Sequence, residues 1–381
     1  MSAFDLIETI LFALSAFTVA YHLFYSILGG MTKRSDKYTQ SRKKHRFAIV
    51  IPSYKDDEYI LKAVQSFLQQ DYPIDCFNII VVSEQMQAST NARLAEFPIT
   101  LMQANFKGKG TKMKSVKAAI KQLPDGLYDM VLVMNADNVV NPDFLDQMNN
   151  TYASGSNAIQ AHRIRKERSN NTSMLNAIFD EINNSIYCSG HVNVGLSSSL
   201  NGSGMAFDFA WIKRIVDQLN DEDDEKAIEA LLLRDRMYVD YMDHVHVYAT
   251  RKEGRRKFYK QRGHWIKSHY HSLFSNILHL PGAIFSGNFD YADRILNWMT
   301  FPRTILLFII GLMGILSSSY NWLDGLKWWA LLLILLFSMA LATPDYLVDK
   351  QFNKAIKAIP GMGIGMILSA LGIIKKEKAE A

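Results

Sequence analysis

The stretch VLVMNADNVV, residues 131–140, decides the fold. It opens as an unbroken apolar run and stops at Asn135-Ala136-Asp137-Asn138. An apolar run bounded in this way predicts a buried strand that ends on polar residues. Similar runs lie on either side. RFAIVI (46–51), NIIVVS (78–83) and PITLMQ (98–103) predict three further strands, and MVLVMN (130–135) is the fourth. Between them come helical patterns. Ile60, Leu61, Val64, Phe67 and Leu68 recur at helical spacing after Asp56 and Asp57, and Lys112 to Leu123 predicts a basic helix. Strands alternating with helices imply an α/β domain with a mainly parallel sheet covered on both faces. In such sheets ligands bind outside the carboxyl ends of the strands.

The chain has 381 residues, too many for one small domain. Hydrophobic residues make up 49%, unevenly spread, and the net charge is only +5. The basic residues cluster beside apolar segments, which gives no case for nucleic acid. Cys76 and Cys188 are far apart, match no metal spacing and read as reduced thiols. Residues 10–30 carry no fixed charge and are long enough to cross a bilayer core. Asp5 and Glu8 precede them, which argues against a signal peptide. Lys33, Arg34, Lys37, Arg42, Lys43, Lys44 and Arg46 follow, so the next domain is expected in the cytoplasm. Residues 304–323 and 328–344 predict a membrane hairpin whose connecting loop contains Asp324 and Lys327. The segment 346–357 is amphipathic, with Lys350, Lys354 and Lys357, and predicts an interfacial helix. Residues 358–374 read as interfacial or re-entrant, because a further span would carry Lys375, Lys376 and Lys378 outside. The expected organisation is an anchor at 1–32, a basic linker at 33–45 and an α/β domain at 46–275. An interfacial segment at 276–300, a membrane hairpin at 301–345 and an interfacial tail at 346–381 follow.

Three polar strand ends fall on one rim: Pro52-Ser53-Tyr54-Lys55-Asp56-Asp57, Ser83-Glu84 and Asn135-Ala136-Asp137. Asp56 or Asp57 reads equally as a helix cap. Asp137 does not, because Asn141-Pro142 is the better helix start. A carboxylate at that strand end suits a hard cation that bridges phosphate oxygens. His244, His246, His264, His269 and His271 are dense, but no Cys or acid completes a tetrahedral set, so zinc is not expected. The run Lys252 to Lys260 reads as a basic collar facing anionic headgroups, with a polyanionic acceptor as the other reading.

Five stretches together resemble the inverting family 2 glycosyltransferases of GT-A fold, in particular membrane synthases such as cellulose, chitin and hyaluronan synthases. They are IPSYKDDEYILKAVQSFLQQDYP with NIIVVSE, VLVMNADNVVNPDFLDQM, LNGSGMAFD, the region beginning DDEKAIEALLLRDRM, and FYKQRGHWIKSHY. The resemblance implies that Pro52, Tyr54, Glu84, Lys112 and Asn135 bind the nucleotide and that Asp137 holds Mg²⁺ or Mn²⁺. It implies that Gly202, Gly204, Gln261, His264 and Trp265 line the acceptor site. The Glu-Asp pair of the family appears as Asp223-Asp224-Glu225. Helical register favours Glu225 as the base with Asp224 as its partner, and a one-residue shift makes Asp224 the base. Asn135, Glu225 and His264 depart from the family's acid, acid and arginine.

The function implied is a multi-pass enzyme of the cytoplasmic membrane. It moves a sugar, with inversion, from a nucleotide donor (a UDP-sugar first among them) to a polysaccharide or a lipid-linked acceptor. Three spans are few for a chain that encloses its own translocation channel. The partners expected are therefore the donor, a glycan or lipid-linked acceptor, the bilayer, and either a second copy or a synthase subunit. The three departures leave a second reading open, a catalytically silent scaffold of an envelope-polysaccharide complex.

Overall fold

The computed structural model of the chain describes residues 3–31, 38, 40–106 and 110–359. Residues 33–37 and 39 of the basic linker and the tail beyond residue 359 lie outside them, and with the tail most of the predicted interfacial or re-entrant segment.

The predicted strands form, with ends shifted by up to three residues. They are β1 (Phe47–Tyr54), β2 (Phe77–Glu84), β3 (Thr100–Ala104) and β4 (Met130–Val133). The chain adds β5 (Asn138–Val140), β6 (Ala158–Arg165), β7 (Met205–Asp208) and β8 (Val239–Ala249). All eight make one sheet in the order β3-β2-β1-β4-β7-β6-β8-β5. The half from β3 to β4 is parallel, β7 runs antiparallel to both its neighbours, β6 and β8 are parallel, and β5 closes the edge antiparallel to β8.

The apolar runs are continuous because each strand serves two cores. Phe47, Ile49 and Ile51 enter one core and Ala48 and Val50 the other; Met130 and Leu132 are likewise separated from Val131 and Val133. The first core is closed by α2 (Ile60–Leu68), α3 (Ala88–Ala95) and α5 (Phe144–Ala153). The second is closed by α4 (Lys112–Gln122), α8 (Phe209–Ile215) and α9 (Glu225–Arg234). On the side facing the long apolar helices lie α6 (Asn171–Asn183), a π-helical turn at Asn184–Ser189 and the three-residue α7 (Gly190–Val192). The helices α10 (Arg255–Asn276), α11 (Leu280–Phe285) and α12 (Phe289–Met299) follow β8.

Among the described residues, three helices are long and apolar enough to cross a membrane: α1 (Ala3–Gly30, with the apolar span from Asp5), α13 (Arg303–Tyr320) and α14 (Trp322–Leu341). They pack together around Val19, Leu306, Ile310, Trp328 and Leu335. Glu8 accepts from Ser317 Oγ (3.1 Å) and Trp328 Nε1 (3.0 Å) at one end, while Ser26 and Ser338 meet at 2.8 Å at the other, so α1 and α14 run parallel. The hairpin turns more tightly than the sequence suggests. Asn321 caps α14 by accepting from Leu323 N (3.3 Å), which takes Asp324 and Lys327 out of the expected loop and into the helix. Gly190 lets α1 lie on α7, since a Cβ there would stand 2.5 Å from the Tyr25 carbonyl oxygen. Residues 350–359 are helical, as the amphipathic spacing predicts.

Candidate functional site

The three polar strand ends do converge. Pro52, Tyr54, Glu84, Lys112, Asn135, Asp137 and Gln261 all line one cleft of about 360 Å³ at the carboxyl ends of β1, β2 and β4. The Asn135-Ala136-Asp137 turn at its floor is held from below by Ser203, whose Oγ accepts from Asn135 N (3.1 Å) and from Asn138 Nδ2 (2.8 Å). Sequence reasoning singled out the two glycines on either side of Ser203 and passed over Ser203 itself.

Asp137 is not left facing open space. Because β5 pairs with β8, with Asn138 opposite Ala249, the residues that follow β8 are delivered beside Asp137. Thr250 N and Oγ1 donate to the Asp137 carbonyl (3.0 and 2.8 Å). Arg251 Nε donates to Asp137 Oδ2 at 2.8 Å, and Arg251 Nη2 donates to Asp56. The guanidinium lies 4.6 Å from the centre of the Tyr59 ring. Burial would raise the Asp137 carboxyl, but Arg163 and Arg251 more than offset it and hold it below the usual carboxylate range. Asp56 therefore serves Arg251 and not the helix start; α2 begins without a side-chain cap, and Asp57 accepts instead from Gln87 N (2.8 Å).

No group of three His, Cys, Asp or Glu side chains that could hold a metal occurs among the described residues. With Asp137 and Asp56 both committed to one guanidinium, the arrangement suits that cation and does not fit a resident Mg²⁺ or Mn²⁺. Arg251 stands in the place where the sequence pointed to the metal.

Three other cations line the cleft: Lys112, Arg163 and Lys257. Lys112 Nζ donates to the Gly202 carbonyl. Burial pulls its ammonium down to about 8 against the opposing pull of Glu225. Arg163 Nε is buried with no hydrogen-bond partner. Lys257 belongs to the run expected to face lipid headgroups, but helical phase on α10 turns it into the cleft. Neither Arg163 nor Arg251 carried a signal in the sequence, because each depends on strand register for its place.

A second cavity, of about 210 Å³ and more enclosed, adjoins the cleft. Glu225 and Trp265 line it, and Gln261 and Arg163 line both spaces. Gln261 Nε2 donates to Glu253 Oε1 (3.0 Å), and Glu253 is ion-paired to Arg165 (3.3 Å), which fixes the amide at the junction. Trp265 stacks on His269 with centroids 5.2 Å apart, and Lys226 Nζ lies 5.4 Å from the Trp265 centroid. His264 lines a wider outer groove with Lys112, Asp224, Glu225 and Gln261.

The two candidate acids differ in their surroundings. Asp224 caps α9 by accepting from Lys226 N (3.0 Å), pairs with Lys226 Nζ (3.3 Å) and accepts from Ser268 Oγ. Burial raises its carboxyl, but Lys226 and these hydrogen bonds bring it below the usual range. Glu225 makes no side-chain hydrogen bond among the described residues, and its carboxylate stands 3.5 Å from where a Gly202 Cβ would be. Gly204 is not brought to either cavity. It lies within the sheet, donating to Val133 O (3.0 Å), and a Cβ there would stand 2.7 Å from Val247 Cγ2. Its φ of +68° is a backbone requirement, and that accounts for the glycine.

A sequence model of the family described as "Glycosyltransferase like family 2" matches residues 45–268. No curated protein matches the chain. Among solved structures, the mannosyltransferase PcManGT from Pyrobaculum calidifontis, in complex with GDP-Man and Mn²⁺, is similar with a TM-score of 0.61. It is 16% identical, and the match covers 96% of this chain and 98% of that one. S. aureus TarS 1-349, in complex with UDP-GlcNAc, is similar at a TM-score of 0.44 and 15% identity over 88% of this chain and 95% of that one.

Proposed function

The chain belongs to glycosyltransferase-like family 2 and has the GT-A type of fold, and from that premise we propose that it transfers a sugar, with inversion, from a nucleotide donor to an acceptor hydroxyl. The donor's diphosphate occupies the cleft at the ends of β1, β2 and β4, and the acceptor enters the adjoining enclosed cavity. The arrangement of Glu225 and Gln261 carries this reading. Both side chains line the cavity, Gln261 also lines the cleft, and Glu225 is the carboxylate with no hydrogen bond of its own. A base for the acceptor hydroxyl has to stand at that junction.

In the reaction the acceptor oxygen attacks the anomeric carbon from the face opposite the diphosphate. The bond from that carbon to the phosphate oxygen breaks, and the hydroxyl proton passes to the Glu225 carboxylate. The nucleoside diphosphate leaves with an added negative charge, which the cations of the cleft receive without reorganising. Trp265 gives one sugar ring an aromatic wall and Gln261 a polar edge. Asp224 positions the start of α9, and so Glu225, through Lys226 and Ser268.

The three apolar helices serve as membrane spans. The basic linker follows Gly30, and the charge rule supports a cytoplasmic catalytic domain. Leu278, Phe285 and Phe289, exposed by 88%, 90% and 64%, rest in the headgroup region as the interfacial segment, with Phe274 just before them. The acceptor is then a glycan or a lipid-linked sugar at the membrane face.

The test is release of nucleoside diphosphate by the purified full chain in detergent, over a panel of UDP- and GDP-sugars with membrane lipid extract as acceptor source. Turnover with one donor supports the reading and names the sugar. Failure of every nucleotide to bind would overturn it. Binding without turnover, even with extract, would favour the silent scaffold.

A further inference from the structure

Deepening the donor-site reading above, and resting on it, we infer that Arg251 is the built-in counter-cation of the donor diphosphate. It stands on Asp137 and Asp56 in the place of a divalent metal, so nucleotide binding by this protein does not require Mg²⁺ or Mn²⁺.

Four observations converge on this assignment. First, the guanidinium is fixed from three sides: Asp137 takes Nε at 2.8 Å, Asp56 takes Nη2, and the Tyr59 ring lies 4.6 Å away. A planar fork held in this way is preorganised for phosphate oxygens, and its remaining donors are free of any hydrogen bond among the described residues. Second, its place follows from the sheet and not from a mobile side chain alone. The β5–β8 register puts Thr250 on the Asp137 carbonyl through two hydrogen bonds, and Arg251 is the next residue. Third, Asp137, the acid on which the sequence placed the metal, is already neutralised by this guanidinium at 2.8 Å. Fourth, the charge of the cleft suits a diphosphate without added metal. Lys112, Arg163, Arg251 and Lys257 are its cations, and Asp56, Asp137, Glu84 and Glu253 its acids. Glu253 is paired outward to Arg165 at 3.3 Å, which leaves four cations facing three acids in the lining, one of which, Glu84, has its carboxyl pushed up by burial. Each phosphate of a nucleotide sugar carries one negative charge. The unpartnered, buried Nε of Arg163 is a further donor waiting for an acceptor in the same cleft.

The experiment is titration of the detergent-solubilised full chain with UDP and GDP by calorimetry, in EDTA and in Mn²⁺. Electron paramagnetic resonance of Mn²⁺ counts bound ion alongside. The wild type is expected to bind one nucleotide in EDTA, with affinity little changed by Mn²⁺, and to hold no Mn²⁺ in its absence. Arg251→Ala frees Asp137 and Asp56. Its affinity in EDTA is expected to fall by about 10- to 100-fold, the loss of charge-assisted hydrogen bonds, and Mn²⁺ is expected to restore it with ion now bound. Wild-type binding that disappears in EDTA and returns with Mn²⁺ would overturn the inference, even if the Arg251→Ala variant fails to fold. That result would leave the donor site standing and make it metal-dependent. Absence of nucleotide binding in both conditions would overturn the donor-site reading, and this inference with it.

Discussion

The assignment of the base to Glu225 and not Asp224 turns on one pair of substitutions. Asp224→Asn removes a carboxylate that is 18% exposed and bound to the Lys226 ammonium at 3.3 Å and to Ser268 Oγ. Asn still caps a helix, so the bond from Lys226 N at 3.0 Å survives. What is lost is one partly buried charge-assisted pair, about 1–3 kcal/mol of stability. Glu225→Gln removes no hydrogen bond, so folding stability should stay within about 0.5 kcal/mol of wild type. Its effect should fall on turnover instead. Loss of a general base costs about 10²- to 10⁴-fold in rate, or roughly 3–5 kcal/mol of barrier. The assay is nucleoside diphosphate release at saturating donor, with thermal unfolding of the same samples. The expected result is a stable, donor-binding and nearly inactive Glu225→Gln beside a less stable Asp224→Asn that keeps at least a tenth of its rate, a margin of roughly 1.4 kcal/mol. A fully active Glu225→Gln with a silent Asp224→Asn would refute the reasoning and move the base by one residue.

Three further outcomes are expected. His162 is buried between Glu181 (3.1 Å) and Asp243 (3.2 Å); burial lowers its imidazolium, but the two acids more than offset it and hold it at about 9, against 6.5 unperturbed. Its stabilising contribution, about 3 kcal/mol, is therefore complete below pH 6.5 and lost as pH rises through 9. Unfolding followed from pH 6 to 10 should show that loss, and His162→Asn should flatten it. Gly204→Ala should lower stability by about 2–5 kcal/mol, since it adds a left-handed Cβ and an overpacked contact 2.7 Å from Val247 Cγ2; an unchanged unfolding midpoint would show that the glycine is not needed for the backbone. Lys112→Met should weaken donor binding by about 10- to 100-fold. In the wild type, affinity should fall as pH passes about 8, where Lys112 loses its proton; a flat binding profile to pH 10 would remove Lys112 from the diphosphate.

The strands and their sites were largely legible in the residues. Phe47–Tyr54, Phe77–Glu84 and Met130–Val133 are apolar at nearly every position because the sheet is covered on both faces, and that leaves a plain run in the sequence. Their polar ends had to meet on one rim, since parallel strands share a direction. The three long apolar helices were equally visible, because length and absence of charge are local properties. Gln261 and Trp265 were placed in their motif and do line the enclosed cavity.

Other features rested on pairings between distant residues. Asn138 lies opposite Ala249, and only that register sets Arg251 on Asp137, 114 positions away in the chain. No local pattern distinguishes Arg251 from the basic residues that follow it, and the same holds for Arg163 in β6 and Lys257 on α10. Ser203 under the Asn135-Ala136-Asp137 turn and the Gly204 backbone within the sheet are likewise products of packing. The sequence by itself determined which segments are strands, which are apolar enough for a bilayer and where polar ends would gather, because those follow from periodicity and composition. The tertiary structure alone decided which cation faces Asp137 and which of two adjacent acids is left unbonded, because hydrogen-bond partners and charge neighbours are chosen by strand register and helix phase.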